Sequence, residues 1–167
     1  MPLIENGRAV ADAWVSLADD AALPADGPVI VSFARWQAER DALLARSAPL
    51  GVRLPSTVPA GAIAPDLERF ALVVVEFPKF RDGRGFTTAR ELRERWGFQG
   101  EIRAVGNIIA DQYPLLVRCG ASTVEVPEGT DVETWARTLN TVTIAYQASV
   151  GVDEPLALLR RKVVAAA

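Results

Sequence analysis

The side chains of this chain that could bind or transform a ligand are concentrated between residues 76 and 111. Residues 79–103 contain seven lysines and arginines against four acids, whereas the whole chain carries a net charge of −3. A local excess of positive charge in an acidic chain favours a site for an anion or a surface for an acidic partner. No spacing in this stretch identifies a catalytic residue.

Two charged residues fall within segments that have the pattern of buried strands. Glu76 lies near the end of the apolar run 71–77, and Arg103 lies inside the predicted strand 101–105. A charge in a buried strand needs a partner, because an isolated buried ion costs several kcal/mol. If the two strands are neighbours, about 4.8 Å apart, Glu76 and Arg103 can face each other. Such a pair either fixes the packing or forms the floor of a ligand site.

A ligand site here would take its rim from the loops after these strands, since ligands of open α/β sheets bind beyond the carboxyl ends of the strands. The rim candidates are Lys79, Arg81, Asp82, Gly83, Arg84, Gly85, Asn107 and Asp111. Thr88 and Glu91 have the spacing of a capping box, which predicts a helix that begins at Thr88. Backbone amides at a helix start bind phosphate or sulfate. The loop lacks the complete P-loop and dinucleotide patterns, so a plain glycine turn is the favoured interpretation.

The composition excludes several kinds of site. The chain has no histidine and a single cysteine, Cys119. It therefore lacks the commonest general base and metal ligand, and it lacks the set of thiolates that holds zinc or an iron–sulfur cluster. We expect no metal and no intrinsic redox cofactor. Cys119 shares an apolar helical stripe with Leu115 and Leu116, so we expect it to face the core.

The same composition predicts a cytoplasmic protein that binds neither nucleic acid nor membrane. The net negative charge is unlike that of a general nucleic-acid-binding protein. No apolar run reaches the roughly 18 residues that span a bilayer. The first residues include acids and lack the apolar core of a signal peptide.

The order of the predicted elements indicates one α/β domain over residues 1–167. Residues 1–16 have the pattern of a hairpin around Asn6-Gly7. Residues 28–150 alternate strands and helices in about five βα units, and their apolar strands predict a mainly parallel sheet with the run 71–77 as a central strand. The predicted helices include 35–46 and 131–147. Five units are too few for a closed barrel, so we expect an open doubly wound sheet or a half-barrel. Residues 152–167 predict a final helix that packs on this domain or on a second copy in a homodimer.

The segment FPKFRDGRGFTTARELRERWGFQGEIRAVGNIIADQYPLLVRCG, residues 77–120, resembles the signature of DUF934, a bacterial family of unknown function. The matching residues are Phe77, Pro78, Lys79, Phe80, Asp82, Gly83, Arg84, Gly85, Ala89, Leu92, Arg93, Gly97, Gly100, Arg103, Ala104, Val105, Gly106, Asp111, Gln112, Arg118, Cys119 and Gly120. Two positions depart from the family pattern. Asn107 stands where an aspartate is usual, so a catalytic role of that aspartate would not carry over, and Ala121 stands where a phenylalanine is usual.

The resemblance implies a pathway rather than a mechanism. Members of the family are typically encoded beside assimilatory sulfite reductase and other sulfate-assimilation enzymes. It therefore implies an accessory protein that docks on, or helps to assemble, sulfite reductase or another enzyme of sulfate assimilation. The residues leave two other interpretations open: an enzyme or sensor for a small oxyanion or phosphate-bearing ligand, and a scaffold or oligomerisation module without a ligand.

Overall fold

Eight short strands form one continuous sheet in the computed structural model, which describes residues 1–141 and residue 150. The strands are β1 (Leu3–Glu5), β2 (Arg8–Val10), β3 (Val15–Ser16), β4 (Val29–Ser32), β5 (Leu50–Leu54), β6 (Phe70–Phe77), β7 (Glu101–Gly106) and β8 (Thr123–Glu125). The α-helices are α1 (Phe33–Ala38), α2 (Arg40–Leu44), α3 (Arg84–Glu94), α4 (Tyr113–Arg118) and α5 (Val132–Leu139). Two 3-10 helices cover Ala60–Arg69 and Ala110–Gln112.

The strand order is that of a half-barrel. It runs β2-β1-β8-β7-β6-β5-β4-β3. From β3 to β8 the strands follow chain order and are parallel, whereas β1 and β2 are antiparallel at the other edge. Because all crossovers between the parallel strands advance in one direction, right-handed connections place the helices on one face. The doubly wound alternative, which needs a reversal of strand order, is therefore excluded.

The connection between β2 and β3 shows that the sheet must curl. These two strands are the opposite edges of the sheet, yet only residues 11–14 separate them. Five residue steps reach at most about 18 Å. Seven gaps of about 4.8 Å would hold the edges of a flat sheet ~34 Å apart. The edges must approach each other, and residues 11–14, which we call the strap, cross the open side.

The two faces of the sheet have different chemistry. On the convex face, strand residues such as Val73 and Val75 belong to a large apolar core that includes Leu92 of α3. On the concave face, a smaller cluster contains Leu72 and Val74, and Trp14 of the strap packs against it. The helices therefore cover one face and the strap covers part of the other.

The central position predicted for the segment 71–77 is confirmed. Its strand, β6, pairs with β5 on one side and β7 on the other. Residues 72–75 are at most 1% exposed. Burial on both faces removes the need for polar alternation, which explains the continuous apolar run.

Several local expectations need correction. Asn6 and Gly7 both have positive φ angles, 48° and 73°, as a tight hairpin turn requires, but the hairpin ends at Val10 and β3 pairs with β4. The predicted helix 35–46 is divided at Glu39. The crossover between β5 and β6 is a 3-10 helix, so five βα units are not confirmed.

Two predicted helices extend beyond the described residues. The described part of the predicted helix 131–147 contains α5, Val132–Leu139. The predicted helix 152–167 lies wholly outside the described residues. Among the helices that are described, none is long and apolar enough to cross a membrane.

Candidate functional site

Charged side chains gather on the concave face of the sheet, beneath and beside the strap. The strand register aligns Arg53 of β5 with Val74 of β6, and Val74 with Arg103 of β7. Glu76 belongs to the next level toward the carboxyl ends, where it aligns with Val105. The concave face thus carries two arginines at one position along the strands and a glutamate two residues further toward the carboxyl ends.

Arg103 is the charge that joins the strap to the sheet. It is 2% exposed. Its Nη1 and Nη2 atoms donate to the two carboxylate oxygens of Asp12 at 2.9 and 3.1 Å, and its Nε donates to Glu101 Oε1 at 3.0 Å. The hydroxyl of Thr123 donates to the same oxygen of Glu101. Both charge partners of Arg103 are therefore carboxylates, one from the strap and one from its own strand.

The direct pair between Glu76 and Arg103 does not form. Glu76 Oε1 lies 3.5 Å from Nη1 of Arg53, and both side chains are about one-third exposed, at 32% and 34%. The register explains this difference, because Arg103 is level with Val74 and stands diagonally to Glu76. Each of the two charges has another partner, but these partners are not fully buried, because the side chains of Asp12, Glu101 and Arg53 are 24–34% exposed.

Arg53 and Glu76 border a cavity of about 320 Å³ at the carboxyl ends of the strands. Glu125 of β8 and Val105 also line it. An arginine and two carboxylates at the rim, above an apolar floor, can hold a polar ligand of mixed charge. Because Arg53 and Glu76 are partly exposed, such a ligand can reach them without unfolding the sheet.

The loop between β6 and α3 is fixed by Asp82. Its Oδ2 accepts hydrogen bonds from the hydroxyl of Ser56 at 2.8 Å and from Arg84 Nη2 at 2.7 Å, and its Oδ1 accepts from Arg84 Nε at 2.8 Å. The bonds from Arg84, followed by that from Ser56, hold the pKa of the Asp82 carboxyl well below its ordinary value of 3.8. Asp82 is thus an ionised anchor of this loop.

The predicted helix start at Thr88 is wrong. Helix α3 begins at Arg84, and Thr88 lies inside it, where its hydroxyl donates to the carbonyl oxygen of Arg84 at 3.2 Å. The backbone amide of Arg84 donates to Asp82 Oδ1 at 3.2 Å. A carboxylate of the chain itself therefore lies at the helix start where a bound anion was expected.

Asp82 makes the stability of the protein depend on pH in a defined direction. A lowered pKa in the folded state stabilises the protein above the ordinary value of 3.8, and this contribution is lost as the pH falls through the folded pKa. The difference in unfolding free energy between the wild type and Asp82→Asn should therefore be constant near neutral pH and shrink in acid. Urea melts across this range test the prediction, with Asp20→Asn as the control. A difference that grows in acid would contradict it.

The two glycines around the start of α3 serve different purposes. A Cβ atom on Gly85 would lie 2.4 Å from Cζ of the Phe77 ring, whereas one on Gly83 would meet no atom within 4 Å. Gly85 is therefore required for packing of α3 on β6. This agrees with a glycine needed for structure rather than for the approach of a phosphate.

Most cations of the basic stretch have partners, so the stretch does not form one basic surface. Arg90 pairs with Glu94, and Arg95 lies over the ring of Trp96. Arg93 donates to the carbonyl oxygens of Phe98, Gly100 and Gly120, and burial lowers its pKa. Its role is to connect α3 to the loops before β7 and β8.

Lys79 and Arg81 remain available at the carboxyl end of β6. Both are exposed, and neither forms an ion pair within the part of the chain that the structure describes. Between them, Phe80 is 54% exposed. Together with Ile109, which is 44% exposed on the neighbouring loop after β7, these residues form what we call the loop surface.

Side-chain amides hold the two loops of the loop surface together. Asn107 Nδ2 donates to the carbonyl oxygen of Pro78 at 2.8 Å, and Gln112 Nε2 donates to that of Phe80 at 3.4 Å. Asn107 is thus a structural link in this chain. Asp111, by contrast, lines a separate cavity of about 330 Å³ with Leu115 and Thr138.

The structure therefore divides the predicted site residues into groups. One group lies in the loops after β6 and β7 and in the first turn of α3: Lys79, Arg81, Asp82, Gly83, Arg84, Gly85 and Asn107. Glu76 and Arg103 lie on the concave face, and Asp111 lies toward α5. Sequence reasoning missed Asp12, Arg53 and Ser56. Arg53 did carry a signal, because it is a charge in the otherwise apolar strand β5.

Cys119 faces the core as predicted, although Leu115 of the same predicted stripe is 48% exposed. It is a free thiol, 8% exposed, and it packs in the large core. Burial raises the pKa of this thiol. A buried thiol with a raised pKa is a poor nucleophile.

The comparison with protein families concerns the half of the sheet that contains β5 to β8. The model of the family "Bacterial protein of unknown function (DUF934)" matches residues 51–157, which is more than half of the chain. The protein belongs to the DUF934 family. The matched region includes the loop surface, Arg53, Glu76 and Arg103, whereas the strap precedes it. No curated protein matches the chain.

Proposed function

We propose that this DUF934 protein is an accessory protein of assimilatory sulfite reduction. In this proposal it docks through the loop surface on sulfite reductase or another sulfate-assimilation enzyme, and it supplies no redox cofactor of its own. The pathway comes from the resemblance to DUF934, because members of that family are typically encoded beside these enzymes. The structural observation that supports docking is Phe80, 54% exposed between Lys79 and Arg81.

The chemistry of the loop surface favours a protein partner. Aromatic residues and arginine are enriched at interfaces, and they dominate the binding energy when a partner covers them. The two loops are tied by Asn107 and Gln112, so little conformational entropy is lost when they are bound. The cations on either side of Phe80 favour an acidic partner surface and speed the encounter with it.

The binding experiment compares two variants of the loop surface. Phe80→Ala should raise the Kd for purified sulfite reductase from the same genome by at least about 30-fold, the loss expected for a central aromatic anchor. Lys79→Ala combined with Arg81→Ala should lower the association rate and weaken its dependence on salt. Arg84 is left intact, because its bonds to Asp82 maintain the loop.

Matched controls separate docking from general surface effects. Val15, 55% exposed on β3, is the apolar control, and exposed Arg8 on β2 is the charge control. Biosensor measurements at two salt concentrations should give wild-type values for Val15→Ala and Arg8→Ala. Equal affinity of Phe80→Ala and Val15→Ala would remove the loop surface as the docking site, and an absence of binding by the wild type would refute this partner.

The cavity at the carboxyl ends of the strands supports a second candidate function. A small oxyanion or a phosphate-bearing ligand would bind Arg53 there, and the protein would be a sensor or an enzyme for it. Calorimetric titration with sulfate, sulfite and phosphate tests this function, with Arg53→Ala as the variant and Arg8→Ala as the control. Anion binding that Arg53→Ala abolishes and Phe80→Ala leaves unchanged would favour the second candidate.

A further inference from the structure

A second cavity, of about 380 Å³, lies beneath the strap and belongs to neither proposed function. Arg103 and Asp12 line it, together with Glu5, Glu101 and Trp14. It opens near the beginnings of β7 and β8, at the opposite end of the strands from the loop surface. The cavity thus combines a buried cation, carboxylates and an aromatic wall.

The hydrogen bonds of Arg103 show which ligand group this cavity can accept. Asp12 receives one hydrogen bond from each terminal nitrogen of Arg103, which is the two-point geometry by which arginine binds a free carboxylate. The side chain of Arg103 is 2% exposed, whereas that of Asp12 is 30% exposed. The arginine is fixed in the sheet, and its partner is carried by a short connecting segment. Asp12 therefore occupies the position of a ligand carboxylate.

The charges around Arg103 exclude a simple anion as the ligand. Glu101 and Glu5 line the same cavity and would repel a sulfate that replaced Asp12, and solvent screens this repulsion less at the buried Arg103 than at the partly exposed Arg53. The second carboxylate oxygen of Glu101 has no hydrogen-bond partner among the described residues, because Arg103 and Thr123 both donate to Oε1. The site can thus take a positive group beside a negative one.

We propose that this cavity binds a free amino acid with an apolar side chain. The carboxylate of the amino acid replaces Asp12 on Arg103, and its ammonium group donates to Glu101 and Glu5. The side chain lies against Trp14 and the apolar residues Leu3 and Val10 of the cavity wall. Displacement of Asp12 releases the polar bond that holds the strap, so binding moves Trp14. This site is independent of the loop surface.

Replacing Asp12 should change the affinity for the amino acid in a direction that a purely structural role of Asp12 would not produce. In the wild type the ligand competes with a carboxylate that is already in place. In Asp12→Asn the competitor carries no negative charge and has one acceptor oxygen in place of two, so it loses one of the two charge-assisted bonds that Arg103 donates to Asp12. The variant should therefore bind the amino acid about tenfold more tightly than the wild type, since one charge-assisted bond fewer must be broken. Glu101→Gln should bind it about tenfold more weakly.

The experiment begins with calorimetric titration of the wild type and Asp12→Asn against the standard apolar amino acids. A matched set then separates the two charged groups of leucine, because 4-methylpentanoate lacks the ammonium group and 3-methylbutylamine lacks the carboxylate. Each analogue should bind at least about tenfold more weakly than the amino acid. Asp20→Asn, an exposed loop variant, should have the wild-type affinity. Circular dichroism confirms that each variant is folded.

Fluorescence of Trp14 gives a second measurement that does not require the Asp12 variant. Amino acid binding to the wild type should change the emission, and Trp14→Phe should remove that change while the heat of binding persists. The proposal is overturned if no apolar amino acid binds the wild type or Asp12→Asn, or if the amine binds as well as the amino acid. Equal affinities of the wild type and Asp12→Asn would also overturn it.

Discussion

We expect Arg103→Ala to lower the free energy of unfolding by about 3 kcal/mol, the low end of the range for breaking a buried ion pair, because the two carboxylates left behind are 24–30% exposed. Arg103 is 2% exposed and bonds to Asp12 and Glu101. Alanine would leave both carboxylates without their cation and would release the strap from the sheet. Urea denaturation followed by circular dichroism measures the change.

Arg53→Ala is the matched control for this prediction. Arg53 occupies the same level of the sheet on β5, but its side chain is 34% exposed and its ion pair with Glu76 is longer, at 3.5 Å. Exposed ion pairs contribute about 0–1 kcal/mol, so the control should lose no more than that. Similar losses in the two variants would show that Arg103 is solvated in solution.

The need for a partner at Arg103 could be predicted from the sequence, but the partner could not. An arginine in an apolar strand must be neutralised wherever that strand is buried. Asp12, however, is 91 residues away in the chain, and it reaches Arg103 only because the sheet curls under the strap. That curl follows from the strand order, which depends on contacts between distant segments rather than on local patterns.

Local sequence patterns correctly predicted those strands and turns whose sequence signal lies entirely within their own residues. The apolar run of β6 and the Asn6-Gly7 turn needed no information from elsewhere in the chain. The start of α3 was misplaced, because the Thr88 and Glu91 pattern fits a cap while Asp82 accepts the bond from the first helical residue. Asp82 takes this position because Ser56, from the loop after β5, also bonds to it.

The candidate site was predictable to the same extent. The loop residues from Lys79 to Arg84 are continuous in sequence, so their proximity is certain once the strand before them ends. The ion pair between Arg53 and Glu76 joins two neighbouring strands and required the pairing of β5 with β6. Which cations of the basic stretch are paired could be learned only from the structure. Side-chain contacts show that Arg84 and Arg90 form ion pairs, whereas Lys79 and Arg81 form none among the described residues.

Gly106→Ala should be the second strongly destabilising substitution, with a loss of at least about 3 kcal/mol. Gly106 ends β7 with a φ angle of 109°, and an added Cβ would lie 2.4 Å from the carbonyl oxygen of Phe77. That oxygen accepts a hydrogen bond from the amide of Asn107 at 2.8 Å, so it is held where the Cβ would be. Both the backbone angle and the overlap therefore oppose alanine.

Gly129→Ala separates these two causes. Gly129 also has a positive φ angle, 78°, but a Cβ there meets no atom within 4 Å. The control should lose only the cost of the backbone angle, about 1–2 kcal/mol. Urea melts of both variants then give the cost of the overlap as the difference between the two losses. If Gly106→Ala lost no more than Gly129→Ala, the ends of β6 and β7 would have to yield easily, and neither the cavity beside Glu76 nor the loop surface would be rigidly positioned.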